Sequence, residues 1–221
     1  MIDTILFDMD GTITDTQKVY SAAWRQVGLK EEEELQQMVG RSSVVNYRYL
    51  KDLGYDADDL IQKKNAICEA AFAKRIDLKP GAREALSALT KAGYTCVLAT
   101  SSPLERAKTN LARTGLSSYF AEVVSGNALE RGKPFPDVFL MAAKAVGAAP
   151  SQCLVVEDSY NGVRAGAAAG MVTVMIPDAV PPDAEMKNTA AAILPSLAEL
   201  PAFLEKWQQD NKEEQHVKSG L

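Results

Sequence analysis

Apolar residues follow two rhythms along this chain. Compact apolar runs, short enough for single strands, recur through its length: Ile5-Leu6-Phe7, Cys96-Val97-Leu98-Ala99, Val123-Val124, Cys153-Leu154-Val155-Val156, and the segment Val172–Ile176. Between them lie longer stretches whose apolar residues fall on one helical face. The pattern predicts strands over 2–8, 95–99, 122–125, 153–156, 172–176 and 192–194. It predicts helices near 82–92, opened by Pro80-Gly81 and closed by Gly93, and near 103–114, 136–147, 161–169 and 197–209, with a frayed polar tail over Asp210–Leu221. One block breaks the alternation. From Thr16 to about Ile76 there is no strand signal, and three helical stripes follow one another: Val19, Tyr20, Ala23, Trp24 and Val27; then Val44, Val45, Leu50 and Leu53; then Leu60, Ile61, Ile67, Ala70, Ala71 and Phe72.

Strands alternating with helices predict an α/β fold, a Rossmann-like parallel sheet covered by helices on both faces. The helical block becomes an insertion. The expected division is an α/β core from residues 1–15 and 79–221 and a helical cap over 16–78. Ligands of such sheets sit beyond the carboxyl ends of the strands. The polar residues lie there. Asp8 and Asp10 follow the first strand, Thr100 and Ser101 the second, and Glu157 and Asp158 the fourth, with Lys133 in the loop beyond the third. The block 16–78 leaves from the same end and would cover it.

Composition narrows the chemistry by exclusion. The chain has 221 residues, 47% apolar and 24% charged, which are ordinary globular values. Its net charge is 24 − 29 = −5, which argues against nucleic acid or an anionic membrane as partner and requires any phosphate site to be locally positive. No run approaches the ~18 apolar residues of a membrane span, and no signal peptide is read. Cys68, Cys96 and Cys153 are odd in number and scattered, so buried free thiols in a reducing cytoplasm are expected. The single histidine, His216, lies in the polar tail. That excludes Ser-His-Asp and phosphohistidine chemistry and His-rich zinc sites. A cysteine phosphatase needs an arginine six residues after its nucleophile, where this chain has Lys74, Ser102 and Ser159. No phosphate-binding P-loop is present, and no G-x-G-x-x-G follows a strand.

The sharpest local signal is Ile5-Leu6-Phe7-Asp8-Met9-Asp10-Gly11-Thr12. Residues two apart on a strand point the same way. Asp8 and Asp10 would therefore project together, and two neighbouring carboxylates repel unless a proton or a cation separates them. A hard divalent ion such as Mg²⁺ answers that need. One carboxylate can then serve as nucleophile and the other as proton donor. Taken singly, each element has a plainer reading: Asp-Gly is a common turn, Thr100 and Ser101 suit a helix cap, Lys133 suits a surface, and Glu157 a structural role.

Taken together, the elements resemble the haloacid dehalogenase superfamily. Asp8-Met9-Asp10-Gly11-Thr12 is its first motif, Leu98-Ala99-Thr100-Ser101 its second, Gly132-Lys133-Pro134 with Pro136-Asp137 its third, and Val155-Val156-Glu157-Asp158-Ser159 with Gly162 its fourth. The insertion is similar to the small helical cap of the subgroup that includes phosphoglycolate phosphatases and β-phosphoglucomutase. The resemblance implies that Asp8 attacks phosphorus, that Asp10 is the acid and base, and that Thr100, Ser101 and Lys133 hold the phosphoryl group. It implies a Mg²⁺ site of Asp8, Asp158 and the main-chain carbonyl of Asp10, with Glu157 acting through water.

Arg41, in Gly40-Arg41-Ser42-Ser43 between two helical stretches, is the candidate for reading the substrate, unless that loop only caps a helix. Dehalogenases and phosphonate hydrolases of the superfamily lack an acid at the Asp10 position. Mutases carry a histidine where this chain has Tyr20. The expected activity is a Mg²⁺-dependent phosphatase of a small phosphorylated metabolite, acting as a monomer. A β-phosphoglucomutase-like mutase is the alternative, and a non-catalytic binding protein on the same scaffold stands behind both.

Overall fold

The computed structural model describes residues 1–29 and 31–219, with residues 214–219 described through their backbone, so the His216 side chain and the chain end lie outside it. Strand β1 (Thr4–Phe7) leads into four helices, α1 (Gln17–Gln26), α2 (Glu32–Met38), α3 (Ser43–Asp52) and α4 (Ala57–Lys74). Strands and helices then alternate: α5 (Ala82–Lys91), β2 (Thr95–Thr100), α6 (Leu104–Thr114), β3 (Glu122–Ser125), α7 (Asp137–Ala145), β4 (Cys153–Glu157), α8 (Tyr160–Ala168), β5 (Val172–Met175), α9 (Ala184–Thr189), β6 (Ala192–Ile193) and α10 (Leu200–Ser219).

The six strands pair in the order β3-β2-β1-β4-β5-β6, every pairing parallel. The chain steps outward from β1 to β3 on one side, then crosses to β4 on the other. The order therefore reverses at β1, and the crevice of a parallel sheet opens at that reversal. Successive residues of β1 face opposite layers. Ile5 and Phe7 pack with Leu86, Leu111 and Leu204 on one face. Leu6 packs with Phe139, Ala142 and Ala165 on the other. Both faces are buried, which is why these strands read as continuous apolar runs rather than alternating ones.

Three local expectations change. The insertion holds four helices, not three. In α2 only Leu35 and Met38 are buried, too short a stripe to register, and the helix is supported by Glu32, Glu33 and Glu34 at the positive end of its dipole. Helix α9 is a short helix of six residues begun by Asp183, whose carboxylate accepts from the Met186 N–H. The last helix does not end near 209 with a frayed tail but continues to Ser219, through Glu, Lys and Gln residues of good helix propensity with no proline to stop it.

The insertion enters and leaves side by side. Asp15 N–H donates to Asp77 O at 2.9 Å, and Lys79 N–H donates to Ile13 O at 2.9 Å. It buries cores of its own, one around Trp24, Leu35 and Leu50 and one around Cys68 and Phe72. The α2–α3 loop is seated on the strand ends of the sheet. Asn161 Nδ2 donates to Val39 O at 3.0 Å, Ser101 Oγ to Gly40 O at 2.9 Å, and Ser42 Oγ to Leu129 O at 3.3 Å. Cys68, Cys96 and Cys153 are buried free thiols. Among the described residues no helix is long and apolar enough to cross a membrane.

Candidate active site

Register assembles the acidic centre. Phe7 pairs with Val156, and the Asp8 N–H continues the ladder to Val156 O at 3.0 Å. Asp8 therefore stands at the level where β4 ends in Glu157 and Asp158. Oxygens of Asp8, Glu157 and Asp158 all lie within 4.8 Å of one another, and each residue is buried. Lys133 Nζ donates to Asp8 Oδ1 and to Glu157 Oε1, both at 2.6 Å, and its ammonium is wholly buried. Thr12 Oγ1 donates to Asp158 Oδ1 at 2.8 Å. Gly11 has φ +96°, and a Cβ there would strike the Asp158 carboxylate, so the motif's glycine is required twice, by conformation and by space.

Glu157 is the most fully engaged acid of the group. Oε1 takes the Lys133 ammonium, and Oε2 accepts from Asp158 N, Ser159 N and Ser159 Oγ, each at 3.0 Å. A Cβ on Gly162 would collide with this carboxylate, which explains a glycine in the first turn of α8. Asp10 stands apart from that trio. Thr16 Oγ1 reaches Asp10 Oδ1 and Ser102 Oγ reaches Asp10 Oδ2, both at 2.6 Å. A hydroxyl can donate to a carboxylate or accept from a carboxyl, so both protonation states of Asp10 find partners in place.

Charge explains the titration of the group. Burial lifts Asp8 to about 7, opposed by Lys133 and reinforced by Glu157 and Asp10. Burial, then Glu157 and Asp8, hold Asp158 well above the usual carboxylate range. Burial pulls Lys133 down, but Asp8 and Glu157 outweigh it and keep the ammonium charged. With all three carboxylates ionised beside one ammonium, two negative charges would have no counter-charge, which is why burial favours the protonated forms of Asp8 and Asp158. A divalent cation would supply that balance, and the all-oxygen donor set would suit Mg²⁺.

Of the residues expected at the site, Asp8, Asp10, Thr100, Ser101 and Arg41 line a single cleft between the sheet and the inserted helices. Lys133, Glu157 and Asp158 meet Asp8 at its floor. Thr100 Oγ1 accepts from Ser102 N at 3.0 Å and is buried. The Ser101 hydroxyl is directed at Gly40. Arg41 donates to Gln37 Oε1 at 2.8 Å and lies over the Tyr49 ring. Sequence reasoning missed Thr16 and Ser102, the partners of Asp10, and Lys64 and Arg106, which also line the cleft. Ser102 follows Thr100 and Ser101 directly, so the second motif's run of hydroxyls held its signal.

Residues 2–170 match a family model described as haloacid dehalogenase-like hydrolase. The chain belongs to the haloacid dehalogenase-like hydrolases. It is an enzyme of the hydrolase class. Hexitol phosphatase A of Escherichia coli is 33% identical over 202 residues, 88% of this chain and 91% of the relative. A phosphorylated carbohydrates phosphatase of Thermotoga maritima is 31% identical over 178 residues, 77% of this chain and 82% of the relative. The solved β-phosphoglucomutase of Clostridium difficile superposes with a TM-score of 0.81, covering 98% of this chain and 100% of that one; at 23% identity the likeness speaks to the fold. That superposition takes in both the sheet and the inserted helices of the chain.

Proposed function

We propose that this hydrolase is a Mg²⁺-dependent phosphatase of small phosphorylated metabolites, of the sugar-phosphate kind, and that it works through an aspartyl-phosphate on Asp8. The observation that carries the reading is the pairing of Lys133 with Asp8 at 2.6 Å, with a second carboxylate, Asp10, held separately by Thr16 and Ser102. In this reading the Asp8 carboxylate attacks phosphorus and the ester P–O bond breaks. Asp10 delivers a proton to the leaving oxygen. Asp10 then takes a proton from water as the water attacks phosphorus, which frees phosphate and returns the Asp8 carboxylate. Lys133 offsets charge on the transferring oxygens, and its own position is fixed by Glu157. Asp8, Asp158 and the Asp10 main-chain carbonyl would hold the ion, with Glu157 outside that set because its oxygens are taken. Bound Mg²⁺ supplies charge stabilisation of the phosphoryl oxygens.

The helices of residues 16–78 serve as a cap that excludes water and selects the alcohol portion of the ester. Hydrolysis is favoured over a mutase by Tyr20, which stands where mutases of this type have histidine, with its hydroxyl buried and without a hydrogen-bond partner among the described residues. The relatives named as phosphatases of hexitols and of phosphorylated carbohydrates support the substrate class. The test is a screen of phosphorylated sugars and acids with Mg²⁺, scoring released phosphate against isomerised sugar. Isomerisation without release would overturn the reading.

A further inference from the structure

Positive charge also lines the cleft away from its acidic floor. Among the described residues the acids of the cleft, Asp8 and Asp10 with Glu157 and Asp158 beneath them, gather at its floor, whereas Arg41, Lys64 and Arg106 line it from three different segments. Arg106, on α6, is paired, its Nε 2.8 Å from Glu69 Oε1. The other two are not. Among the described residues no carboxylate lies within ion-pair distance of Lys64 or Arg41, while the adjacent, exposed Lys63 pairs with Asp59 at 2.7 Å.

Lys64 is also held in the cleft rather than left to solvent. Its Nζ lies 5.0 Å from the centre of the Trp24 ring and 5.3 Å from that of Tyr20, distances at which ring faces attract a cation. Arg41 finds only a neutral amide, Gln37, and the face of Tyr49. Burial depresses the pKa of both cations. Half-buried cations without an ion-pair partner are costly, and two of them facing one cleft in a chain of net charge −5 form a place for an anion.

Resting on the phosphatase reading, we propose that Lys64 and Arg41 together hold a second anionic group, a carboxylate or a second phosphate, on the alcohol portion of the substrate. A neutral polyol phosphate would bring no charged group to these two cations beyond the phosphate held at the floor. An ester with an acidic far end pairs with them as it displaces their water.

Two matched pairs of esters test this on the full chain with Mg²⁺. 3-Phosphoglycerate and glycerol 3-phosphate differ by a carboxylate for a hydroxymethyl group. Fructose 1,6-bisphosphate and fructose 1-phosphate differ by a second phosphate. Competitive inhibition of p-nitrophenyl phosphate hydrolysis by the same four compounds reads the preference where turnover is slow. The anionic member of at least one pair should be favoured by about tenfold or more, as a charge-assisted hydrogen bond gives, and which pair shows it separates carboxylate from phosphate. Lys64→Met and Arg41→Gln should each shrink that preference by about tenfold, and Lys64→Arg should keep most of it. Equal use of both members, preference for the neutral ones, or equal losses on both in folded variants would overturn the inference while leaving the phosphatase reading intact. No phosphate release from any ester, p-nitrophenyl phosphate included, would overturn that reading and this inference with it.

Discussion

The ammonium of Lys133 donates to Asp8 Oδ1 at 2.6 Å across 125 residues of sequence. The contact joins the loop before α7 to the end of β1 in a setting without solvent, so each residue depends on the other for its charge state. Asp8→Asn removes the attacking oxygen and one negative charge together. Turnover should fall below about 1% of the parent, because losing a covalent nucleophile costs orders of magnitude. The fold should persist, since the crowd of carboxylates becomes smaller. Steady-state rates with circular dichroism check both; retention of more activity than this would place the nucleophile elsewhere.

Glu157 should matter to stability as much as to rate. Glu157→Gln turns an amide N–H₂ toward donors that already crowd the acid and removes a counter-ion of a fully buried ammonium. Breaking one side of a buried pair costs about 3–5 kcal/mol, which for a chain of this size lowers Tm by roughly 6–20 °C. Calorimetry of the variant gives the answer, and a melting point within a degree or two of the parent would mean that Lys133 is held by Asp8 alone.

Removal of divalent metal should abolish activity. Ionised together, Asp8, Glu157 and Asp158 would leave two negative charges unmatched after Lys133 is counted, and burial, which already raises the pKa of Asp8 and Asp158, keeps water from screening them. EDTA treatment should stop phosphate release, and added Mg²⁺ should restore it. Full turnover by the chelated, metal-free protein would contradict the site as described.

The sheet and its acids were legible because their signals are local. Asp8-Met9-Asp10-Gly11 is contiguous, β1 and β4 are continuous apolar runs, and strand ends are where such sheets bind ligands. The partners of the acids were less legible. Thr16 meets Asp10 only because the chain turns back after β1, and nothing in its own neighbourhood marks it. Lys64 and Arg106 lie on helices with ordinary charged faces, and only packing of α4 and α6 beside the cleft sets them apart from Lys63 or Lys108. Helix α2 was hidden by its acidic first turn, and the extension of α10 by a polar composition that serves a helix and a loose tail equally well.

Arg41 should separate specificity from chemistry. It touches no catalytic side chain, and its loop is fixed to the sheet through Val39, Gly40 and Ser42 rather than through its own side chain. Arg41→Ala should therefore lower kcat/KM on the preferred substrate by about ten- to a hundred-fold. The loss on p-nitrophenyl phosphate, which has no group for Arg41 to hold, should be much smaller. Equal losses on the two would assign Arg41 to support of the catalytic centre.

Lys64 gives the cleft a pH dependence with a definite sign. Burial lowers its pKa to about 8, against the opposing pull of Cys68, Asp10 and Glu69 and with Arg106 adding to the fall. Its ammonium is thus charged below pH 8 and neutral above it. An ester with an acidic far end should bind with a KM that rises as pH passes through about 8, while the KM of its neutral counterpart stays nearly flat over the same range. The stability term runs the other way. Between the folded pKa and the ordinary lysine value the unfolded chain binds the extra proton, so this residue's contribution to stability increases with pH across that window. Lys64→Arg keeps the charge and should move the rise in KM out of the accessible range. Profiles of KM for 3-phosphoglycerate and glycerol 3-phosphate from pH 6 to 9.5, in parent and variant, decide the point. Parallel profiles for the two esters would place the titrating group at the catalytic floor instead of on α4.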